Sequence, residues 1–197
     1  LYRKPPGEFW DGKREMVNAP LPNIREPALL WQVDADELWT VDQVREVRRR
    51  FLAEPRRSAA YYWCWYFVGP EQIVSTRHNY AQNPAFEWLR TWRYQPGDHW
   101  AAHEPPTLVR PQPDGTAPVN IAAIHPFTQD ETEAFGAVFQ HFAYVTEAQL
   151  AFKEGYYGYA DARAQWRGLL AQRGSGFLAE HFGWVEDRTM FDDAAVF

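Results

Sequence analysis

The chain has 197 residues, of which 46% are apolar and 23% charged, the proportions of a globular chain long enough to bury a proper core. Its net charge of −6 argues against a nucleic-acid binder, which needs a basic surface to neutralise phosphates. One cysteine, Cys64, excludes an internal disulfide and a cysteine-based zinc site.

The aromatic content is high, with 10 Trp, 10 Tyr and 13 Phe, side chains that bring buried area and flat faces able to stack on sugar rings and bases. No apolar run reaches the length of a membrane-spanning helix and nothing resembles a signal peptide, so a cytoplasmic location is expected. The chain begins at Leu1 rather than Met, which fits a piece of a longer protein.

Taken in order, residues 1 to 9 read as an irregular, Pro-rich lead-in, and the stretch from Trp10 holds a short helix that Pro20 and Pro22 end. Ala28 to Val33 is a short apolar strand, expected to be an inner strand covered on both faces. It runs into Asp34-Ala35-Asp36-Glu37. If the strand persists, Asp34 and Asp36 point to one side, where two carboxylates are costly unless a cation lies between them. Mg²⁺ and Mn²⁺ suit such oxygens together with substrate phosphates. The plainer reading is that these acids bind backbone N–H groups or cap the next helix.

Thr40-Val41-Asp42-Gln43 is a capping box. The helix it opens should bury Val41, Val44, Val47 and Phe51, leave Arg45, Arg48, Arg49 and Arg50 to solvent, and close at Pro55. Ser58 to Val68 is a dense β-favouring run read as one arm of a hairpin covered on both sides, with Gln72 to Thr76 as the return. Phe86 to Tyr94 alternates like another strand, and Pro96-Gly97 turns the chain. Trp100 to Glu104 then runs extended into Pro105-Pro106, and residues 107 to 134 read as a long polar surface loop. Val138 to Tyr144 forms a strand carrying His141. A second capping box, Thr146-Glu147-Ala148-Gln149, opens a helix to about Glu154, which Gly155 and Gly158 interrupt. Further helices are expected over Ala160 to Gln172, with Trp166, Leu169 and Leu170 inward, and over Phe177 to Val185.

Three places could carry chemistry. The acidic segment is the first. His141, among Phe139, Phe142 and Tyr144, is either a metal ligand or a core histidine bonded to a carbonyl. His103-Glu104, framed by Trp100 and Pro105, offers a carboxylate whose aromatic surroundings could suit it to general-base work, or merely ties down a loop. His78, His99, His125 and His181 have no metal-site spacing, and Cys64 reads as core.

The run Leu30-Trp31-Gln32-Val33-Asp34-Ala35-Asp36-Glu37 resembles the acidic strand of GT-A-type glycosyltransferases, family 2 in particular. Lys13 and Asn18 look like the basic residue and Asn that this family often carries on the helix before it. Arg90, Trp92, Pro96-Gly97 and His103-Glu104 look like the aromatic/Arg strand, turn and His-Glu pair of some branches, and His141 like the family's late metal-binding His. The resemblance covers roughly residues 10 to 160. It implies an α/β fold: a GT-A-like mixed sheet flanked by helices, lacking its N-terminal base-binding half, with a helical C-terminal part. One domain over 1–197 is expected, with sheet in 10–145 and helices in 146–197.

The resemblance further implies sugar transfer from a nucleotide-sugar donor to a carbohydrate or other hydroxyl acceptor, with inversion. Asp34, Asp36 and His141 would hold Mn²⁺ or Mg²⁺, and Asp34, Lys13 and Asn18 would serve the donor. Glu104, aided by His103, or else Glu37, would act as the base. Trp39, Trp92 and Trp100 could form an acceptor wall. The alternatives are a non-catalytic carbohydrate-binding or interaction domain and a metal-dependent phosphohydrolase.

Overall fold

A computed structural model describes residues 3–8, 10–69, 73–75, 88–171 and 190–191. The helix expected over Phe177–Val185, together with His78 and His181, lies outside them. In chain order the strands are β1 (Ala28–Trp31), β2 (Glu37–Leu38), β3 (Ala59–Tyr61), β4 (Cys64–Phe67), β5 (Ile73–Ser75) and β6 (Leu89–Tyr94). They continue with β7 (His99–His103), β8 (Pro106–Arg110), β9 (Val119–Asn120), β10 (Phe139–His141) and β11 (Met190–Phe191). The helices are α1 (Gly12–Asn18), α2 (Val41–Ala53), α3 (Gln129–Ala134), α4 (Glu147–Tyr157) and α5 (Ala162–Ala171). The fold is mixed α/β with three small sheets among the described residues. The chain divides into two compact units, one of residues 1–32, 45–62 and 86–135, the other of 33–44, 63–85 and 136–197.

The first unit holds the sheets β1-β6-β3 and β7-β8-β9, both antiparallel. β6 takes a partner on each edge, and all of it but Arg93 is buried, so both faces of the strand are covered rather than one. Trp92 is fully buried and meets Trp100 edge to face at 4.6 Å, in a core that includes Leu21, Leu89, Leu108 and Ile121. The Arg93 guanidinium donates to the carbonyls of Phe51 (2.6 Å) and Arg57 (2.9 Å), satisfying backbone acceptors at the exit of α2. The turn before β7 is locked by Asp98, which accepts from the Gln95 N–H (2.6 Å) and from two Arg110 nitrogens at 2.8 Å each. Gly97 supplies the left-handed φ of +102° that the turn requires.

Several expectations change on the way. β1 is an edge strand of its sheet and only partly buried, because β6 takes the central place. The β-favouring run after Ser58 breaks at Tyr62-Trp63 into β3 and β4, which join different sheets, although β4 and β5 do form the expected antiparallel hairpin. On α2 the capping box is formed and Val47 and Phe51 are buried, yet Val41 and Val44 are exposed. The arginines of α2 are largely solvated, and Arg49 and Arg50 pair with Glu46 along the helix. Residues 107 to 134 are an ordered segment rather than a loop. Leu108, Val109, Ile121 and Phe127 are buried, and Thr128 and Glu131 form a complete capping box on α3.

Two outcomes follow for this unit. Trp92→Ala should cost about 3–5 kcal/mol in urea denaturation, because the cavity it leaves is walled by other large rings. Burial pushes the Glu131 carboxyl up, but hydrogen bonds from the Thr128 backbone and the Arg57 guanidinium outweigh it and hold the group below its ordinary value. A carboxyl depressed in the folded state stabilises at neutral pH and loses that contribution as pH falls through its folded value. The denaturation midpoint should therefore drop as pH falls below about 4.5, with a shallower slope in Glu131→Gln.

Candidate functional site

The site is assembled in the second unit. β1 stops at Trp31, and Asp34-Ala35-Asp36 forms a turn closed by the Glu37 N–H donating to the Asp34 carbonyl at 3.0 Å. The alternation argument for the two aspartates therefore fails, because no strand runs through them. What fixes Asp36 instead is β10. The Phe142 N–H donates to the Asp36 carbonyl at 2.7 Å, and β2 pairs antiparallel with β10, Glu37 opposite His141 and Leu38 opposite Gln140. On its other edge β10 runs parallel to β4, which sets His141 beside Tyr66. The two rings meet edge to face at 4.9 Å.

This pairing brings His141 Nε2 to 3.5 Å from Asp36 Oδ2, with the histidine side chain 13% and the aspartate 32% exposed. The hydrogen bond with His141 pulls the Asp36 carboxyl below its ordinary value, against the effect of partial burial, and the positive charge of Lys153 adds in the same direction. Among the described residues no three His, Cys, Asp or Glu side chains converge as a metal cage.

α4 closes the site. Its capping box is complete, as Thr146-Glu147-Ala148-Gln149 suggests. The Gln149 amide oxygen accepts from the Val145 and Thr146 N–H groups at 2.9 Å each, and its nitrogen donates to the Phe142 carbonyl at 2.7 Å. One side chain thus ties the helix start to the exit of β10. The helix passes through Gly155 and ends at Gly158, whose φ of +72° is the left-handed terminator. From α5 the Trp166 indole N–H donates to the carbonyls of Tyr144 (2.6 Å) and Val68 (3.0 Å), buried as expected. Lys153 lies over the Tyr144 ring at 4.5 Å. The result is a cleft of about 380 Å³ lined by Asp36, Ala148, Gln149, Phe152, Lys153 and Tyr157.

Of the other residues singled out from sequence, Lys13, Asn18, Trp92, Trp100, His103 and Glu104 belong to the first unit. Lys13 is exposed on α1. The Asn18 side chain makes two hydrogen bonds with the Trp100 backbone, donating to its carbonyl at 3.0 Å and accepting from its N–H at 2.8 Å. It works there as a structural clasp. His103 ends β7 and Glu104 is exposed in the β7–β8 turn, so aromatic burial does not surround that carboxylate. Trp92 and Trp100 are buried in the core and cannot present faces to a sugar, and Cys64 is buried as expected.

Sequence reasoning passed over Lys153, Phe152 and Tyr157. The signal was available in Phe152-Lys153-Glu154-Gly155-Tyr156-Tyr157, aromatics and a lysine grouped just after a strong helix start. Comparison with protein-family models, with curated proteins and with solved structures gives no match.

Gln149→Ala removes the helix cap and leaves the Phe142 carbonyl without its donor. It should lower stability by about 1–2 kcal/mol in chemical denaturation, more than the loss at an ordinary exposed glutamine.

Proposed function

We propose that this chain belongs to a metal-dependent glycosyltransferase that moves a sugar from a nucleotide-sugar to an acceptor hydroxyl. The observation that carries the reading is the convergence at 3.5 Å of Asp36, in the turn before β2, and His141 on β10, far apart in sequence. These are the acid and the late histidine that the GT-A resemblance assigns to the metal.

The pair fits a hard divalent cation. Mg²⁺ and similar ions hold oxygen ligands at about 2.1 Å, which sets adjacent ligand atoms about 3 Å apart, close to the separation of the two side chains. Two protein ligands leave most of the coordination sphere to water and substrate phosphate, the usual arrangement for Mg²⁺ at phosphorylated substrates. When bound, Mn²⁺ or Mg²⁺ supplies charge neutralisation for the leaving diphosphate.

The chain's own residues do the rest. Asp34 serves the donor's ribose. The bond from the anomeric carbon to the diphosphate oxygen breaks as a bond to the acceptor oxygen forms, and the acceptor's proton passes to a carboxylate. The base role falls to Glu104 on the resemblance of His103-Glu104 alone.

The test is thermal denaturation with a panel of nucleotide-sugars, with and without Mn²⁺. A metal-dependent rise in melting temperature is expected with at least one donor. Asp36→Ala and His141→Ala should each weaken Mn²⁺ binding more than about tenfold. No metal-dependent rise with any nucleotide-sugar would sink the proposal. Turnover of a simple phosphate ester without an acceptor would favour a phosphohydrolase instead. In a chain that turns over, Glu104→Gln should slow transfer by about 10²–10⁴ while leaving Mn²⁺ binding unchanged.

A further inference from the structure

Four aromatic side chains gather on the last turns of α4 and just beyond it. Phe152 and Tyr156 are stacked at 5.1 Å with nearly parallel rings, Tyr157 stands edge-on to Tyr156 at 4.9 Å, and Tyr159 stacks on Tyr157 at 5.6 Å. All four are exposed, Tyr156 by 70% and Phe152 by 58%. Large rings normally gain most by burial, so a contiguous exposed group of them marks a binding surface. Phe152 and Tyr157 also line the cleft that contains Asp36 and Lys153.

We infer that this cleft binds a neutral saccharide, with the Tyr157 ring stacked on a C–H face, the Phe152 ring, perpendicular to it at 6.2 Å, against the sugar's edge, and the carboxylate and ammonium groups meeting its hydroxyls. For its place in the reaction, as the acceptor subsite, the inference rests on the glycosyl-transfer reading above. Three observations select a sugar. The cleft, at about 380 Å³, has the volume of a small-molecule site. Its lining mixes ring faces with hydrogen-bonding charged groups, which suits a ligand that is apolar on its faces and polar around its rim. The neighbouring charges are already matched, Glu154 with Arg163 at 2.6 Å and Glu147 with Arg167, so the patch lacks the excess of basic groups that an anionic membrane would require.

The test is saturation-transfer NMR on the whole chain with maltotriose, cellotriose, mannotriose and the N-acetylglucosamine trimer as probes, without metal. At least one probe should receive saturation at its ring protons. In Phe152→Ala/Tyr157→Ala that binding should weaken by about tenfold or more, with the far-UV circular dichroism and the Mn²⁺ affinity unchanged. The single variants keep the test open if the double variant unfolds, each predicting a smaller loss in the same direction. Absence of transfer from every probe overturns the inference. So does concentration-dependent self-association of the chain that the double variant abolishes, because a second copy would then cover the patch. Saccharide binding without any nucleotide-sugar response would uphold the cleft and reject the transferase reading. The reverse result would reject the cleft alone.

Discussion

The second unit depends on one short strand being paired on both edges. β10 has only three residues, yet it holds β2 antiparallel on one side and β4 parallel on the other. Each partner alone would be marginal, since a two-stranded ribbon this short cannot hold its register unaided. Together they bring the acidic turn, His141 and Tyr66 into one row. The chain leaving β10 is then pinned by Gln149 and Trp166, which satisfy the Phe142 and Tyr144 carbonyls just past the strand. The position of Asp36 is therefore a property of the sheet rather than of the turn that carries it.

That dependence explains what could be read in the sequence and what could not. Both capping boxes were legible because a Thr and a Gln three residues later have one local geometry in which each satisfies the other's backbone. The strand around His141 and the hairpin of β4 with β5 were legible for a similar reason, being short β-favouring segments beside clear turns. The error at Asp34-Ala35-Asp36 came from extending a strand by its composition. β6 reaches back to Leu89, but its pairing with β1 ends at Trp31, with one further hydrogen bond from the Gln32 N–H to the Arg90 carbonyl at 2.9 Å, before the chain turns at Asp34. Where a chain leaves its partner is a tertiary fact that composition does not carry.

The same limit governs the aromatic run after Ser58. Its residues favour strand throughout, and strand is what most of them form. Nothing local says that the chain changes sheets at Tyr62-Trp63, because both halves present equally suitable side chains to whichever neighbour is available. On α2 the apolar period identified Val47 and Phe51 correctly, but periodicity names a face and not how far along the helix that face is covered. Residues 107 to 134 were misread in the opposite direction. Their polar average conceals Leu108, Ile121 and Phe127, each spaced so that one side chain per short element reaches the core.

The candidate site invites a stability explanation, and magnitudes weigh against it. A carboxylate and an imidazole at 3.5 Å, one of them a third exposed, contribute about 1 kcal/mol at most and only while the imidazole is charged. The neighbouring hydrogen bonds from Phe142, Gln149 and Trp166 already hold this corner with better geometry and less exposure to solvent. Removing the pair would cost the fold little. A cleft that sets an acid, a lysine and exposed aromatic rings together places there groups that packing does not need. Such an arrangement, which leaves aromatic area unburied and returns little stability, fits a ligand that uses these groups together better than it fits the requirements of the sheet.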